Sequence, residues 1–479
     1  MPPGRQRVRR AGRGRQGADG GHGNARRHPR ADRRQRGGGL VTTATDRFAR
    51  IADRYAAGEA AGICSVCSAH PLVIEATLRH GLDHGSDVLI EATCNQVNQD
   101  GGYTGMTPAD FRRFVEDIAA EVGFPLDRLV LGGDHLGPNP WKALPAEEAM
   151  GKAEAMIAAF AEAGFTKLHL DTSMGCAGEP AALADETVAR RAARLAGAAE
   201  RAASAKDGSL PVYVVGTEVP VPGGAFEALD HLVVTTPEAA RRTIEVHRAA
   251  FAAAGLEEAF RRAVGAVVQP GVEFGNAEVV VYEPETARAL SATLGALPGF
   301  VFEAHSTDYQ PVGALAALVR DGFVILKVGP WLTFALREAL YGLSAIADVL
   351  APEAGAEALP ATMERVMLAS PDNWRKYYPG GDAEQRMQRH FSFSDRIRYY
   401  WPEPEARAAV DRLMARLGER EIPLPLVSQH LGQLYADVAA GRTEPRARPL
   451  VLASVARVLD IYAEAIAGRS LGTERGAPS

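Results

Sequence analysis

The sequence predicts an α/β fold: a closed (β/α)8 or TIM barrel, with a helical C-terminal extension and a disordered basic N-terminal tail. Three observations lead there. Eight short apolar runs recur along residues 62–331, their starts about 25 to 55 residues apart, which leaves room for a strand, a helix and two loops in each unit. The runs are almost continuously apolar, as strands buried on both faces must be. Polar and ionisable residues gather at the C-terminal ends of the runs, where barrels of this kind build their sites.

In order, the runs are GICSVCS (62–68), DVLIEATCNQ (87–96), RLVLGGDHLG (128–137), KLHLDTSM (167–174), PVYVVGTEVP (211–220), AVVQPGVEF (266–274), GFVFEAHSTD (299–308) and FVILKVGPW (323–331). The stretches between them carry helix signals. Residues 107–123 open on Thr107 with Pro108 at the first helical position and close on Gly123. Residues 145–164 place Glu147 and Glu148 in the first turn and end on Gly164, and 236–255 repeats the device. No G-x-G-x-x-G follows the first run, which argues against a doubly wound dinucleotide-binding sheet. The barrel is expected over 41–350. Helical stretches at 405–418, 427–440 and 449–467, broken by aromatic, Pro-rich joints, make 351–479 an appendage packed on it.

Charge is unevenly spread. Residues 1–40 hold twelve arginines and two aspartates, so the remaining chain carries −16 within a total of −6. An acidic body argues against nucleic acid as the main partner. The Arg/Gly-rich head has no apolar periodicity and reads as disordered. A mis-set translation start is its plainest origin; a basic arm or transit peptide would be the functional ones. No apolar run approaches the ~20 residues of a membrane span. Four sparse cysteines without a secretory signal fit a reduced cytoplasm. Cys64-Ser-Val-Cys67 is a C-x-x-C without a second pair, and small buried side chains explain it better than a metal does.

The candidate chemistry lies at the strand ends. Asp134-His135 follows two glycines and precedes Gly-Pro, which places an acid and an imidazole in a loop at the barrel mouth. Alternation puts His169, Asp171 and Ser173 on one side of their strand, and Glu303 and His305 together on theirs. The second run adds Glu91, Asn95 and Gln96, the fifth ends in Glu218, and the sixth carries Gln269 and Glu273. Burying so many ionisable groups is costly unless they are paired or hold a metal. Glu91 reads as a buried partner to a neighbouring cation, and His169 as either a core histidine or part of the site. The set suits metal-assisted proton transfer next to a carbonyl, with a divalent ion such as Zn2+ as cofactor. Lys327 and Gly329, at the end of the eighth run, sit where barrels often hold phosphate; the alternative is a lysine whose head escapes to water.

GICSVCSAHPLVIEA, EATCNQVNQDGGYTGMTP, GGDHLGP, HLDTSM, GTEVPVPGG, EAHSTDYQ, LKVGPWLTFALREAL and FSFSDRIRYYW, in this order from about Asp46 onward, resemble the Z subunits of class II D-tagatose-1,6-bisphosphate aldolase, the GatZ/KbaZ family. The resemblance implies a TIM barrel with a helical extension, acting as a non-catalytic subunit that supports the activity and stability of a catalytic Y subunit. A tagatose 6-phosphate kinase activity has also been attached to the family, but the chain has no G-x-x-x-x-G-K-[ST] for ATP. The family is similar to the catalytic class II aldolases. On that similarity Asp134 corresponds to the general acid/base and His135 to a zinc ligand. The other two zinc histidines are not both retained: VVQPGVEFG has none, and in FVFEAHSTD Glu303 takes the ligand position with His305 two residues on. Some relatives look like metal-dependent ketose or ketose-phosphate 4-epimerases working by retro-aldol cleavage.

Two functions are therefore expected. The first is a carbohydrate-pathway subunit, partnered by the aldolase Y subunit, oligomeric, with a sugar or sugar-phosphate ligand. The second is a self-sufficient 4-epimerase. For it, Asp134, Glu218 and Asp171 are the catalytic candidates, His135, Glu303 and His305 the metal ligands, and Lys327, Gly329, Asn95 and Ser173 the substrate or phosphate contacts.

Overall fold

A computed structural model describes residues 43–59, 61–204, 210–216 and 232–468. In chain order its strands are β1 (Ile63–Cys67), β2 (Val88–Thr93), β3 (Leu129–Leu136), β4 (Lys167–Leu170), β5 (Val212–Val215), β6 (Ala263–Val268), β7 (Glu273–Phe274), β8 (Val279–Val280), β9 (Val301–Ala304) and β10 (Phe323–Val328). All except β7 and β8 join in one closed parallel barrel, ordered β1-β10-β9-β6-β5-β4-β3-β2. Helices cover its outside. The helix Pro108–Val122 begins on a Thr107–Asp110 capping box and ends where Gly123 takes φ 78°, as its end signals predict. No helix among the described residues is long and apolar enough to cross a membrane.

Two elements differ from the sequence pattern. The sixth barrel strand stops at Val268 instead of running to Phe274. Pro270 lacks an N–H for the ladder and Gly271 turns at φ 93°, so Glu273–Phe274 leaves the barrel to pair antiparallel with Val279–Val280. The stretch 427–440 is two helices, Leu424–His430 and Tyr435–Ala439, with a tight turn at Gly432–Leu434.

The lumen is layered. At its N-terminal end Leu89, Val130, Val212, Val264, Val301 and Ile325 form an apolar floor, plugged from below by Phe48 and Ile51 of two short helices, Ala44–Ala49 and Ile51–Ala56. Two residues further along β2, β9 and β10, at Glu91, Glu303 and Lys327, and at Lys167 on β4, the interior turns ionic. Lys167 Nζ on β4 lies 2.6 Å from Glu91 Oε1 on β2 and 2.8 Å from Glu303 Oε2 on β9. Neither strand neighbours β4, so both contacts cross the lumen. Gly132 makes room for them, since a Cβ there would stand 2.5 Å from Glu91 Oε1.

The C-terminal helices lie on the barrel. The helix Ala447–Ile466 packs against the helices Pro71–Asp83, Val312–Arg320 and Pro330–Leu350. Near the mouth, Arg337 Nε bonds Asp395 Oδ1 at 3.0 Å, and the Tyr309 hydroxyl donates to the Phe393 carbonyl at 2.7 Å.

Candidate functional site

At the C-terminal end of the barrel β3 carries an extra residue. Gly133 pairs with Leu168 and Leu136 with Leu170, so Asp134 and His135 together face the single residue His169. This is a β-bulge, with His135 held at φ 48°. A regular strand would send adjacent side chains to opposite faces. The bulge lets both enter the mouth, at a cost of roughly 1–2 kcal/mol for the left-handed backbone. Ser306 and Tyr309, on the loop after β9, are also left-handed, at φ 53° and 63°. Strain concentrated at one mouth is typical of sites where geometry is functionally constrained.

Three imidazoles and a carboxylate converge there. Asp134, His135, His169 and His305 each offer a ligand atom within 4.8 Å of the others, and all four are buried. The ring centroids of the three histidines lie 4.9 to 5.3 Å apart. Each ring has its outer nitrogen engaged. His135 Nδ1 meets Asp171 Oδ2 at 2.8 Å, His305 Nε2 meets Glu303 Oε1 at 2.8 Å, and His169 Nε2 meets the Gly216 carbonyl at 3.3 Å. The inner nitrogens, Nε2 of His135, Nδ1 of His305 and Nδ1 of His169, turn toward a shared centre, where His169 Nδ1 lies 3.0 Å from Asp134 Oδ1 and accepts the His135 N–H at 3.2 Å. Metal-binding histidines are normally oriented in this way, by a carboxylate or carbonyl behind each ring.

The charges agree. Burial opposes ionisation of Asp134, but the positive charges of His135 and Lys327 and the bond from His169 outweigh it and hold this carboxyl well below its usual range. Burial likewise opposes charge on His135, yet Asp134 and Asp171 draw its ring upward. Burial pushes His305 down to about 3 against the pull of Glu303, so that ring is neutral and free to donate a lone pair. Three imidazoles with one carboxylate suit Zn2+ or a similar divalent ion. The residues present fit a metal, with His135, His169 and His305 holding it and Asp134 beside it.

A cleft of about 100 Å3 opens above this centre, with Asp134, His135 and His305 on its floor. Asn95, Gln96, Ser306, Asp308 and Lys327 line it, and the extension adds Arg398 and Tyr399. Lys327 neither escapes to water nor faces a free anion site: its ammonium lies 2.8 Å from Asp134 Oδ2 and also against Glu91. Gly329 and Trp331 donate their N–H groups to Asp308 Oδ1 at 3.0 and 2.8 Å. The strand-end position expected for phosphate thus holds a carboxylate. Cys67 lines the cleft and Cys64 does not; both are free thiols, pushed up by burial.

The structure brings Asp134, His135, His305, Asn95, Lys327 and Gly329 into this cleft. It places Asp171 and Glu303 behind histidines, and Ser173 further out, its hydroxyl 2.8 Å from Asp171 Oδ1. Glu218 lies outside the described residues. Glu91 is the buried partner of cations that its sequence context suggested. Sequence reasoning left His169 open and missed Lys167 and Arg398. For His169 the signal was available, since it shares the inward phase of its strand with Lys167.

Comparison with known proteins follows the same lines. The chain is 56% identical over 406 residues to a D-tagatose 6-phosphate 4-epimerase of Agrobacterium fabrum (strain C58), covering 85% of this chain and 95% of that one. It is 51% identical over 413 residues to the D-tagatose-1,6-bisphosphate aldolase subunit GatZ of Salmonella enteritidis PT4, covering 86% and 97%. A crystal structure of a probable tagatose 6 phosphate kinase from Sinorhizobium meliloti 1021 superimposes with a TM-score of 0.79 at 62% identity, over 84% of this chain and 100% of that one. The D-tagatose-1,6-bisphosphate aldolase subunit GatZ/KbaZ-like family matches residues 48–467, and the chain belongs to that family.

Proposed function

We propose that the chain is itself an enzyme, a metal-dependent epimerase that inverts C4 of a ketohexose 6-phosphate of the tagatose type by retro-aldol cleavage and re-addition. One observation carries this: three imidazoles from three strands converge on one point beside Asp134, each ring fixed from behind. A barrel serving only as a support would keep this buried ionic network without using it, and such networks are costly to fold. The similarity to the Agrobacterium epimerase supports the same reaction.

A divalent ion in this site supplies Lewis-acid polarisation of substrate oxygens. The chain's own groups do the rest. Asp134, ionised at neutral pH and facing the cleft, takes the proton of the C4 hydroxyl as the C3–C4 bond breaks. The bonding pair passes to C3 and on to the C2 carbonyl oxygen, leaving an aldehyde at C4. After the aldehyde turns its other face, C3 attacks C4 and Asp134 returns the proton to the C4 oxygen. Lys327, 2.8 Å from Asp134, balances its charge through both halves of the cycle. Asn95 and Gln96 on the cleft wall supply neutral hydrogen bonds for sugar hydroxyls.

The test is turnover by the purified chain alone, loaded in separate samples with Zn2+, Mn2+ or Co2+ and followed by 13C NMR. D-Tagatose 6-phosphate should interconvert with D-fructose 6-phosphate. A second function is favoured by the 51% identity to the Salmonella subunit: support of a class II aldolase partner. Absence of interconversion with every ion, together with a rise in the partner's activity as this chain is added, would establish that function instead.

A further inference from the structure

The proposed substrate carries a phosphate, and the usual place for it in this barrel is closed. Lys327 is held between Glu91 and Asp134, while the N–H groups of Gly329 and Trp331 are taken by Asp308. A phosphate must then find its cation elsewhere in the cleft. Apart from Lys327 and the histidines of the metal centre, the one cation among the described lining residues is Arg398. It comes from the extension, on the short 3-10 turn Arg396–Tyr400.

The guanidinium is positioned but not neutralised. One terminal nitrogen donates to the carbonyls of Ser394 and Asp395, the second at 3.1 Å, and the other donates to the Tyr399 hydroxyl at 3.1 Å. Its carbon stands 4.5 Å from the centroid of the Tyr399 ring, which itself packs edge-on against Tyr103 at 4.9 Å. No carboxylate lies within salt-bridge distance of Arg398 among the described residues. These bonds leave Nε–H and further N–H groups for a ligand, in the planar fork that suits phosphate oxygens.

The turn is braced from below. Asp395, just before it, sits at φ 43° and is anchored by Thr333 Oγ1 at 2.6 Å and by Arg337. Both anchors lie on the helix Pro330–Leu350, which follows β10 directly. The brace thus ties the position of Arg398 to the barrel that carries the metal centre.

We infer that Arg398 is the anion anchor of this cleft, binding the phosphate monoester of the sugar while the reacting carbons lie over His135 and His305. The inference rests on the cleft being a sugar-phosphate site, and it gives the C-terminal extension a direct part in substrate binding.

The experiment compares full-length wild type with Arg398→Gln, using inorganic phosphate in calorimetric titrations and D-tagatose 6-phosphate and free D-tagatose in kinetics. Arg398→Gln should weaken phosphate binding and raise KM for the phosphorylated sugar roughly ten- to a hundredfold, the loss expected for charge-assisted hydrogen bonds. Metal content should match wild type, and KM for free D-tagatose should rise less than KM for the phosphorylated sugar. Unchanged phosphate binding and unchanged KM would overturn the anchor while leaving epimerisation intact. Conversely, a chain without epimerase activity that binds phosphate only with Arg398 present keeps the anchor and loses the reaction. Should Arg398→Gln not fold, crystals of wild type soaked in phosphate decide: phosphate on the Arg398 guanidinium supports the anchor, and phosphate elsewhere in the cleft overturns it.

Discussion

Asp171 Oδ2 lies 2.8 Å from His135 Nδ1, although the two residues come from different strand ends and are 36 positions apart. The bond fixes which nitrogen of His135 faces the centre. Burial opposes ionisation of Asp171, but the bond and charge of His135 hold its carboxyl well below the usual range, so it stays an acceptor at any physiological pH. A carboxylate in this position orients a ligand and raises its basicity; it does not need to touch substrate.

Asp171→Asn should therefore weaken metal affinity by roughly 10- to 100-fold while the fold persists. Competition against a chelator of known affinity measures this. Equal affinities in the two proteins would show that Asp171 does not orient His135.

Asp134→Asn keeps all three imidazoles but removes the group proposed to move the proton. The turnover rate should fall by about 10²- to 10⁴-fold, with metal still bound. Loss of metal in parallel with activity would make Asp134 a ligand first and a base second.

Gly132→Ala places a Cβ 2.5 Å from Glu91 Oε1 and forces that carboxylate off its lysines. Disturbing a buried ionic cluster of this kind costs on the order of 3–5 kcal/mol. Urea titration should show the loss, and a midpoint matching wild type would mean that the cluster tolerates displacement.

Glu273 gives a pH signature. Its side chain is fully buried, and burial pushes the carboxyl up from 4.5 to about 7 against the bonds from Phe274 N–H and Ser306. Between these two values the unfolded chain releases this proton and the folded chain keeps it. Stability from this group is thus lost as pH rises from about 4.5 to about 7, and the deficit is constant above that. Glu273→Gln should remove this slope and raise the thermal midpoint more at pH 8 than at pH 5. A uniform shift at both would contradict the assignment.

Much of the site was legible because barrels place chemistry at one end of every strand. Asp134-His135 stands out by its flanking glycines, and the alternation in Glu303 and His305 correctly puts the two side chains in contact, at 2.8 Å. The joint use of Asp134 and His135 was not legible, since it depends on a bulge that strand periodicity cannot announce. Nor was the pairing of Lys167 with Glu91 and Glu303, which exists only once the barrel closes and β2, β4 and β9 face one another. Arg398 lies furthest from a sequence signal. It reaches the mouth from a turn more than sixty residues beyond the last barrel strand, and no local pattern records where such a turn docks.

Equilibrium dialysis with Zn2+ decides whether His135, His169 and His305 form one working metal centre. Wild type should hold about one ion per chain, as a site with three protein ligands does. His169→Ala, the histidine that sequence left undecided, should lose that ion together with activity while its circular dichroism stays that of wild type. A wild-type chain that retains no divalent ion, or a His169→Ala chain that binds Zn2+ as tightly as wild type, would show that the three histidines do not hold a metal together.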